Sequence, residues 1–292
     1  MSSKEASIAD GSVDPTYVAA RRILLDALEV LAPHGDAVIL AGAQAVYLHT
    51  GNAEIAIAPY TTDGDLALDP RRLKDIPKLE AAMIDAGFRP HLADGHAQPG
   101  IWVASTSAAG EEIIVPIDLI VPEGFASGGG RRAACLGDHG AKAARRAVGL
   151  EAALIDHSTM RIGALEPEDE RSFQAEVAGP AALLIAKAHK LHDRIASGRT
   201  ARIDDKDAAD VVRLMQTADP GEIGATLRVL EAHEVAGTPT TSAIGYIEEM
   251  FGRRAGPGIE MASRALRTAV PQERVQALCT GFVAALRGSE RT

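Results

Sequence analysis

Strand-like and helix-like runs are unevenly divided along this chain, and that division limits its fold more than any other feature. Up to Pro122-Glu123-Gly124, short apolar runs alternate with helical periodicity. Val38-Ile39-Leu40-Ala41 reads as a buried strand, as do 65–68, 101–104 and 113–121. Helices are expected over 16–32, 43–49 and 73–86. Pro116 inside the 113–121 run argues for an edge or bulge. After about residue 165 the strand signals fade, and helices are expected over 180–197, 204–218, 220–233 and 259–286, the last interrupted by Pro271. The reading is a loose tail over 1–15, a mixed α/β half over 16–165 and an all-helical half over 166–292. Aromatic residues make up only 3% of the chain, so its cores rest on Ala, Leu, Val and Ile.

Charge and cysteine content remove several function classes. The net charge of −10 argues against a protein that coats a duplex, so nucleic-acid contact would need a local basic patch. Arg131, Arg132, Lys142, Arg145 and Arg146 form the densest one; a solvated helix face is its plainer reading. Cys135 and Cys279 lie far apart and form no CxxC, which excludes a zinc finger or disulfide scaffold. One disulfide stays open beside the plainer reading of two free thiols. Residues 1–15 carry no apolar core of a secretory leader, and no apolar run approaches the ~20 residues of a membrane span. A soluble, cytoplasmic protein with no membrane partner is expected.

The most informative motif is Asp63-Gly64-Asp65. In a strand, alternate side chains share a face, so the two carboxylates would project together while Leu66 and Leu68 turn to the core. Paired carboxylates repel unless compensated, and Mg²⁺ favours such hard oxygen ligands. Asp118 lies inside the apolar run Val115–Val121, where a lone charge is costly. If the two strands are neighbours, it is the third carboxylate of one site. Asp-Gly is also a hairpin signal, the structural alternative. Upstream, Gly42 ends a strand and opens a short helix, an arrangement that lets phosphates approach backbone N–H groups.

Leu40-Ala41-Gly42-Ala43-Gln44-Ala45-Val46-Tyr47-Leu48-His49, followed by Thr61-Thr62-Asp63-Gly64-Asp65-Leu66-Ala67-Leu68, resembles the minimal nucleotidyltransferases of the DNA polymerase β superfamily. Within it the chain looks most like the AbiEii/MenT group of type IV toxins. The resemblance implies a mixed sheet with flanking helices, followed by a helical domain. It implies one or two Mg²⁺ ions on Asp63, Asp65 and Asp118, with an NTP as substrate approaching Gly42 and Ala43. The implied reaction moves an NMP to an acceptor hydroxyl, such as a tRNA 3′ end or equally a protein hydroxyl or the chain itself, with a cognate antitoxin as partner. Lys187, with Lys190 as its close second, would hold the phosphates; Asp207, with Asp210 as second, would assist it or orient the acceptor. A face of alternating charges is the plain alternative for that segment. Ala43 stands where the family has a second Gly or Ser, and Gly64 where it has an apolar residue. Both departures motivate the reading of an inactive nucleotide-binding module. The acidic charge suits another: transfer to a small cationic acceptor such as an aminoglycoside.

Other candidates are weaker. His189, His192 and Asp193 have helical spacing for a metal but lack a further ligand cluster. Ser127-Gly128-Gly129-Gly130-Arg131 lacks the Lys-Ser/Thr of a Walker loop, and no Gly-x-Ser-x-Gly elbow occurs. Trp102 reads as core.

Overall fold

The computed structural model describes residues 13–51, 61–126, 132–198 and 205–289. Most of the tail expected over 1–15, the Ser127–Arg131 loop and Asp204 lie outside these residues. The chain opens with α1 (Pro15–Leu31). The Asp14 carboxylate starts it by accepting from the backbone N–H of Thr16 and Tyr17 at 2.8 and 3.1 Å, with Pro15 in the first turn. Asp14 and Pro15, expected in the tail, belong instead to the start of a helix.

Among the described residues, eight strands form one mixed sheet: β1 (Val38–Ala41), β2 (Gly64–Leu68), β3 (Arg89–Ala93), β4 (His96–Ala108), β5 (Glu111–Pro122), β6 (Arg145–Ala147), β7 (His157–Gly163) and β8 (Ser172–Ala178). The order is β3-β4-β5-β2-β1-β8-β7, with β6 also paired to β5. Strands β2 and β5 run parallel, as do β1 and β8, while β1 and β2 are antiparallel. All four residues of β1 are buried, which explains their unbroken apolar run. Helix α1 packs across the sheet through a buried stripe that includes Ala20, Ile23, Leu24, Ala27, Leu28 and Leu31.

Helix α2 (Gly42–Thr50) leaves β1 and packs on α4 (Pro180–Ala196) and α5 (Lys206–Thr217). Around these lie α6 (Pro220–Glu231), α7 (Gly237–Phe251), α8 (Pro257–Leu266) and α9 (Gln272–Ser289). Between β2 and β3 lies α3 (Leu79–Asp85).

Several expectations need correction. The helix expected over 73–86 begins only at Leu79, because Pro77 lacks an N–H donor and disfavours helical backbone at Ile76. Strand β8 lies beyond residue 165, so the sheet continues past the expected division. Its Phe173, Ala175 and Val177 alternate with Ser172, Gln174 and Glu176, a period-2 pattern hidden by polar composition. Helix α7 starts in Gly-Thr-Pro-Thr-Thr, poor helix formers, and is held by burial of Ala243, Ile247, Met250 and Phe251. Pro116 lies just before the β2 pairing begins at Ile117, so β5 is an edge on that side there, as its proline requires. Trp102 is core, with its indole N–H donating to the Ala143 carbonyl at 3.0 Å. Cys135, exposed, and Cys279, buried, form no disulfide; burial pushes the Cys279 thiol up to about 12. Among the described residues no helix is long and apolar enough to cross a membrane.

Candidate active site

The site forms where β1 turns into α2 beside β2. Antiparallel pairing sets Ala41 opposite Asp65, so the next residue, Gly42, meets the Asp65 side chain. Gly42 has φ +67°, a left-handed backbone that favours glycine. A Cβ there would lie 2.1 Å from Asp65 Oδ2. The carboxylate therefore sits against bare backbone at the start of α2, whose first turn has no side-chain cap.

Gly64 is buried between Leu24 of α1 and Ile117 of β5; a Cβ at Gly64 would lie 2.8 Å from Ile117 Cδ1. The departure from an apolar residue between the aspartates thus has a packing reason: Ile117 fills that space. Gly64 facing the core turns Asp65 to the opposite face of β2. Asp63 lies just before the strand. Its carboxylate accepts from the Thr61 hydroxyl, and its carbonyl accepts from Gln44 Nε2 at 3.1 Å. Gln44 is buried on α2, and its Oε1 accepts from Arg21 Nε at 2.8 Å. The resulting chain of bonds from α1 through α2 fixes the backbone of Asp63.

Asp118 is the register partner of Asp65 across the parallel β2–β5 pair, so the two strands are neighbours, which was the condition for a third carboxylate. Its carboxylate, however, faces Arg145. Both Nε and Nη2 of Arg145 donate to Asp118 Oδ2, at 3.0 and 2.7 Å. Arg145 is on β6, opposite Ile120 of β5. Gly100, at φ +70°, makes room for it: a Cβ there would lie 2.3 Å from the Arg145 backbone nitrogen.

Burial pushes the Asp65 carboxyl up to about 6; the neighbouring Asp63 charge adds to this, and Lys190 opposes it. Asp65 lines a cavity of about 420 Å³ together with Gly42, Arg145 and Lys190. Ile120, Val148, Leu150 and Leu183 give that cavity an apolar part. Asp63 and Asp118 lie beside the cavity rather than in its lining.

Lys187 differs from expectation. Its Nζ donates to Asp207 Oδ1 at 2.7 Å and to Asp210 Oδ2 at 2.6 Å, and it is buried. The ammonium joins α4 to α5 rather than pointing freely at a ligand, although Lys187 touches the cavity. Burial alone would favour its neutral amine, but the two carboxylates outweigh that and hold Lys187 well above the usual lysine range. Burial also opposes the Asp207 charge, yet Lys187, Lys190 and Arg194 hold its carboxyl well below the usual range. Burial raises the Asp210 carboxyl against the pull of Lys187. Lys190, 44% exposed at its side chain, reaches Asp207 at 3.2 Å and is the more open ammonium in the cavity wall.

No family model matches this chain. No curated protein matches it either.

The remaining candidates separate. Arg145 and Arg146 are on a strand rather than a helix face, and Arg146 pairs with Glu123 at 3.2 Å. Arg132 and Lys142 are exposed, and Arg131 lies outside the described residues. His189 Nε2 bonds the Pro239 carbonyl at 2.8 Å, and His192 stacks on Tyr246, so both rings serve the α4–α7 contact. Ala43 is buried at the start of α2. Among the described residues, no group of three or more His, Cys, Asp or Glu gathers to hold a metal. Sequence reasoning missed Thr61, Gln44 and Arg21 as supports of Asp63, and Arg145 as the partner of Asp118. Gln44, Arg21 and Arg145 carry no spacing signal, because each acts through a contact distant in sequence; Thr61, two residues before Asp63, is a local contact.

Proposed function

We propose that the chain is a divalent-cation-dependent nucleotidyltransferase, moving an NMP from an NTP to an acceptor hydroxyl. The observation that carries this reading is the contact of Gly42 with Asp65, which brings a helix start and a carboxylate to one cavity wall. Asp63 and Asp65 suit one hard cation. Their charges oppose each other, and burial adds to the cost of ionising Asp65, so a cation relieves both. When bound, Mg²⁺ supplies Lewis-acid stabilisation of the charge on the transferring phosphoryl group.

The chain's own residues do the rest. Backbone N–H groups in the first turn of α2 and the Lys190 ammonium bind the triphosphate. The apolar part of the cavity takes the nucleoside and excludes water. An oxygen of the acceptor bonds to the α-phosphorus in line with the leaving group. The α–β bridging bond breaks, and pyrophosphate leaves with the electron pair. By resemblance Asp118 takes the acceptor's proton; both Arg145 bonds fall on its Oδ2, so Oδ1 is the atom we assign to that role. Lys187 and Asp207 act as positioning residues, holding α4 and Lys190 beside the cavity.

The resemblance suggests a tRNA 3′ end as acceptor and equally allows a protein hydroxyl or the chain itself, in the role of a type IV toxin with a cognate antitoxin. The exposed Arg132 and Lys142 supply local positive charge for such an acceptor. A second reading, a small cationic acceptor, draws on Glu123 and Asp193, which also line the cavity. Each α-³²P-labelled NTP is offered with tRNA or with aminoglycosides. Label on tRNA, lost in Asp65→Asn, is the expected result; label on the aminoglycoside favours the second reading. No label with any NTP, together with growth on induced expression that is unchanged by Asp63→Ala, refutes transfer and leaves an inert binding module.

A further inference from the structure

We propose that Arg145 stands in for a second divalent cation: the site takes one ion, on Asp63 and Asp65, while Arg145 neutralises Asp118 and offers a fixed positive charge to the triphosphate. The inference rests on the nucleotidyl-transfer reading. Three carboxylates beside one cavity need compensating positive charge before all can ionise. A pair of divalent ions about 4 Å apart is one solution, in which a shared carboxylate bridges both. A guanidinium is another, and it keeps its charge at any working pH.

The geometry favours the guanidinium. Asp65 and Asp118 are side by side in register, where a bridging ion would need an oxygen from each. Asp118 gives Oδ2 to two charge-assisted bonds from Arg145 instead. The two side chains of this pair are 28% and 16% exposed, so it is partly shielded from water and salt. The clasp is also built into the backbone. Arg145 pairs with Ile120, two residues along β5 from Asp118, and the absent side chain at Gly100 lets β6 close on that position. An ion on Asp118 would have to displace this clasp or sit against a guanidinium, and like charges at that distance repel strongly. Arg145 also lines the cavity with Asp65 and Lys190, so its charge faces the same space as the nucleotide.

The experiment counts Mn²⁺ in the full chain by electron paramagnetic resonance, with enough protein to bind all of a non-hydrolysable α,β-methylene NTP. The wild type is expected to bind one Mn²⁺ per chain–nucleotide complex, and Asp63→Ala to lose it. Arg145→Met, which frees Asp118, is expected to bind two; Arg145→Lys, which keeps the charge, stays at one. Asp118→Asn keeps the proposal testable should Arg145→Met not fold: the count stays at one and Mn²⁺ affinity changes by less than about tenfold, the lower bound for losing a partner of a ligand. Two ions in the wild type, one in folded Arg145→Met, or loss of an ion in Asp118→Asn overturns the proposal while leaving nucleotidyl transfer standing. Binding of neither Mn²⁺ nor the analogue by the wild type overturns the transfer reading, and this inference with it.

Discussion

Replacing Lys187 by Met separates a structural ammonium from a phosphate clamp. The Lys187, Asp207 and Asp210 side chains are 4–6% exposed, and Lys187 bonds both carboxylates at 2.7 and 2.6 Å. Methionine fills similar volume but leaves the carboxylates without that cation. Asp207 keeps Lys190 and Arg194, so its charge remains compensated. Asp210 bears the loss. Breaking a buried pair from one side costs about 3–5 kcal/mol, and the remaining partners of Asp207 place this case near 3 kcal/mol. For a chain of this size that lowers Tm by roughly 6–12 °C. The sign with pH follows from Asp210. Burial already raises its carboxyl, and removing Lys187 raises it further. The penalty is therefore full above that raised value and shrinks as acid protonates the group. Differential scanning calorimetry from pH 5 to 8 should show the deficit of Lys187→Met narrowing towards pH 5. Asp210→Asn in the same chain should recover part of it at pH 7. A Tm within about 2 °C of wild type at pH 7, combined with lost nucleotide binding, would refute this reasoning and make Lys187 a clamp.

Asp65→Asn should stabilise the metal-free protein. The wild-type carboxyl lies near 6 when folded, so ionising it costs the native state; the variant's advantage is absent below about pH 4, grows through pH 6 and then levels at about 1–3 kcal/mol. Thermal melts in EDTA across that range test it, and an advantage that falls as pH rises contradicts it. Gly42→Ala should cost about 1–2 kcal/mol in backbone strain alone, and more where its methyl meets Asp65; calorimetric titration with an NTP should show lost binding. Asp14→Ala removes the α1 cap and should lower stability by about 1 kcal/mol, read by urea denaturation, with NTP binding unchanged.

The site was legible to different depths. Gly42, Asp63 and Asp65 stood out because a left-handed turn and an in-phase carboxylate pair leave short-range marks. A lone charge in an apolar run marked Asp118 as needing a partner, but that β5 pairs with β2 and sets Asp118 opposite Asp65 came only from the sheet. That partner was not legible. Arg145 sits in a basic cluster that reads equally as a surface patch, and only the β5–β6 pairing brings it to Asp118. Lys187 reads from the sequence together with Asp207 and Asp210, and the structure joins the three; that their contact is buried between α4 and α5 is not legible, because helical spacing gives the stripe but not what packs on it.

The fold shows the same boundary. Local pattern alone determined an α/β beginning, a helix-rich end and a glycine turn before two acidic residues, because periodicity and backbone freedom are properties of neighbouring residues. Tertiary structure alone decided that β8 returns to pair with β1, that α7 forms despite weak propensity, and that Asp118 meets a guanidinium. Those outcomes depend on which surfaces meet, and burial and charge compensation between distant segments outweigh the local preferences that a sequence window records.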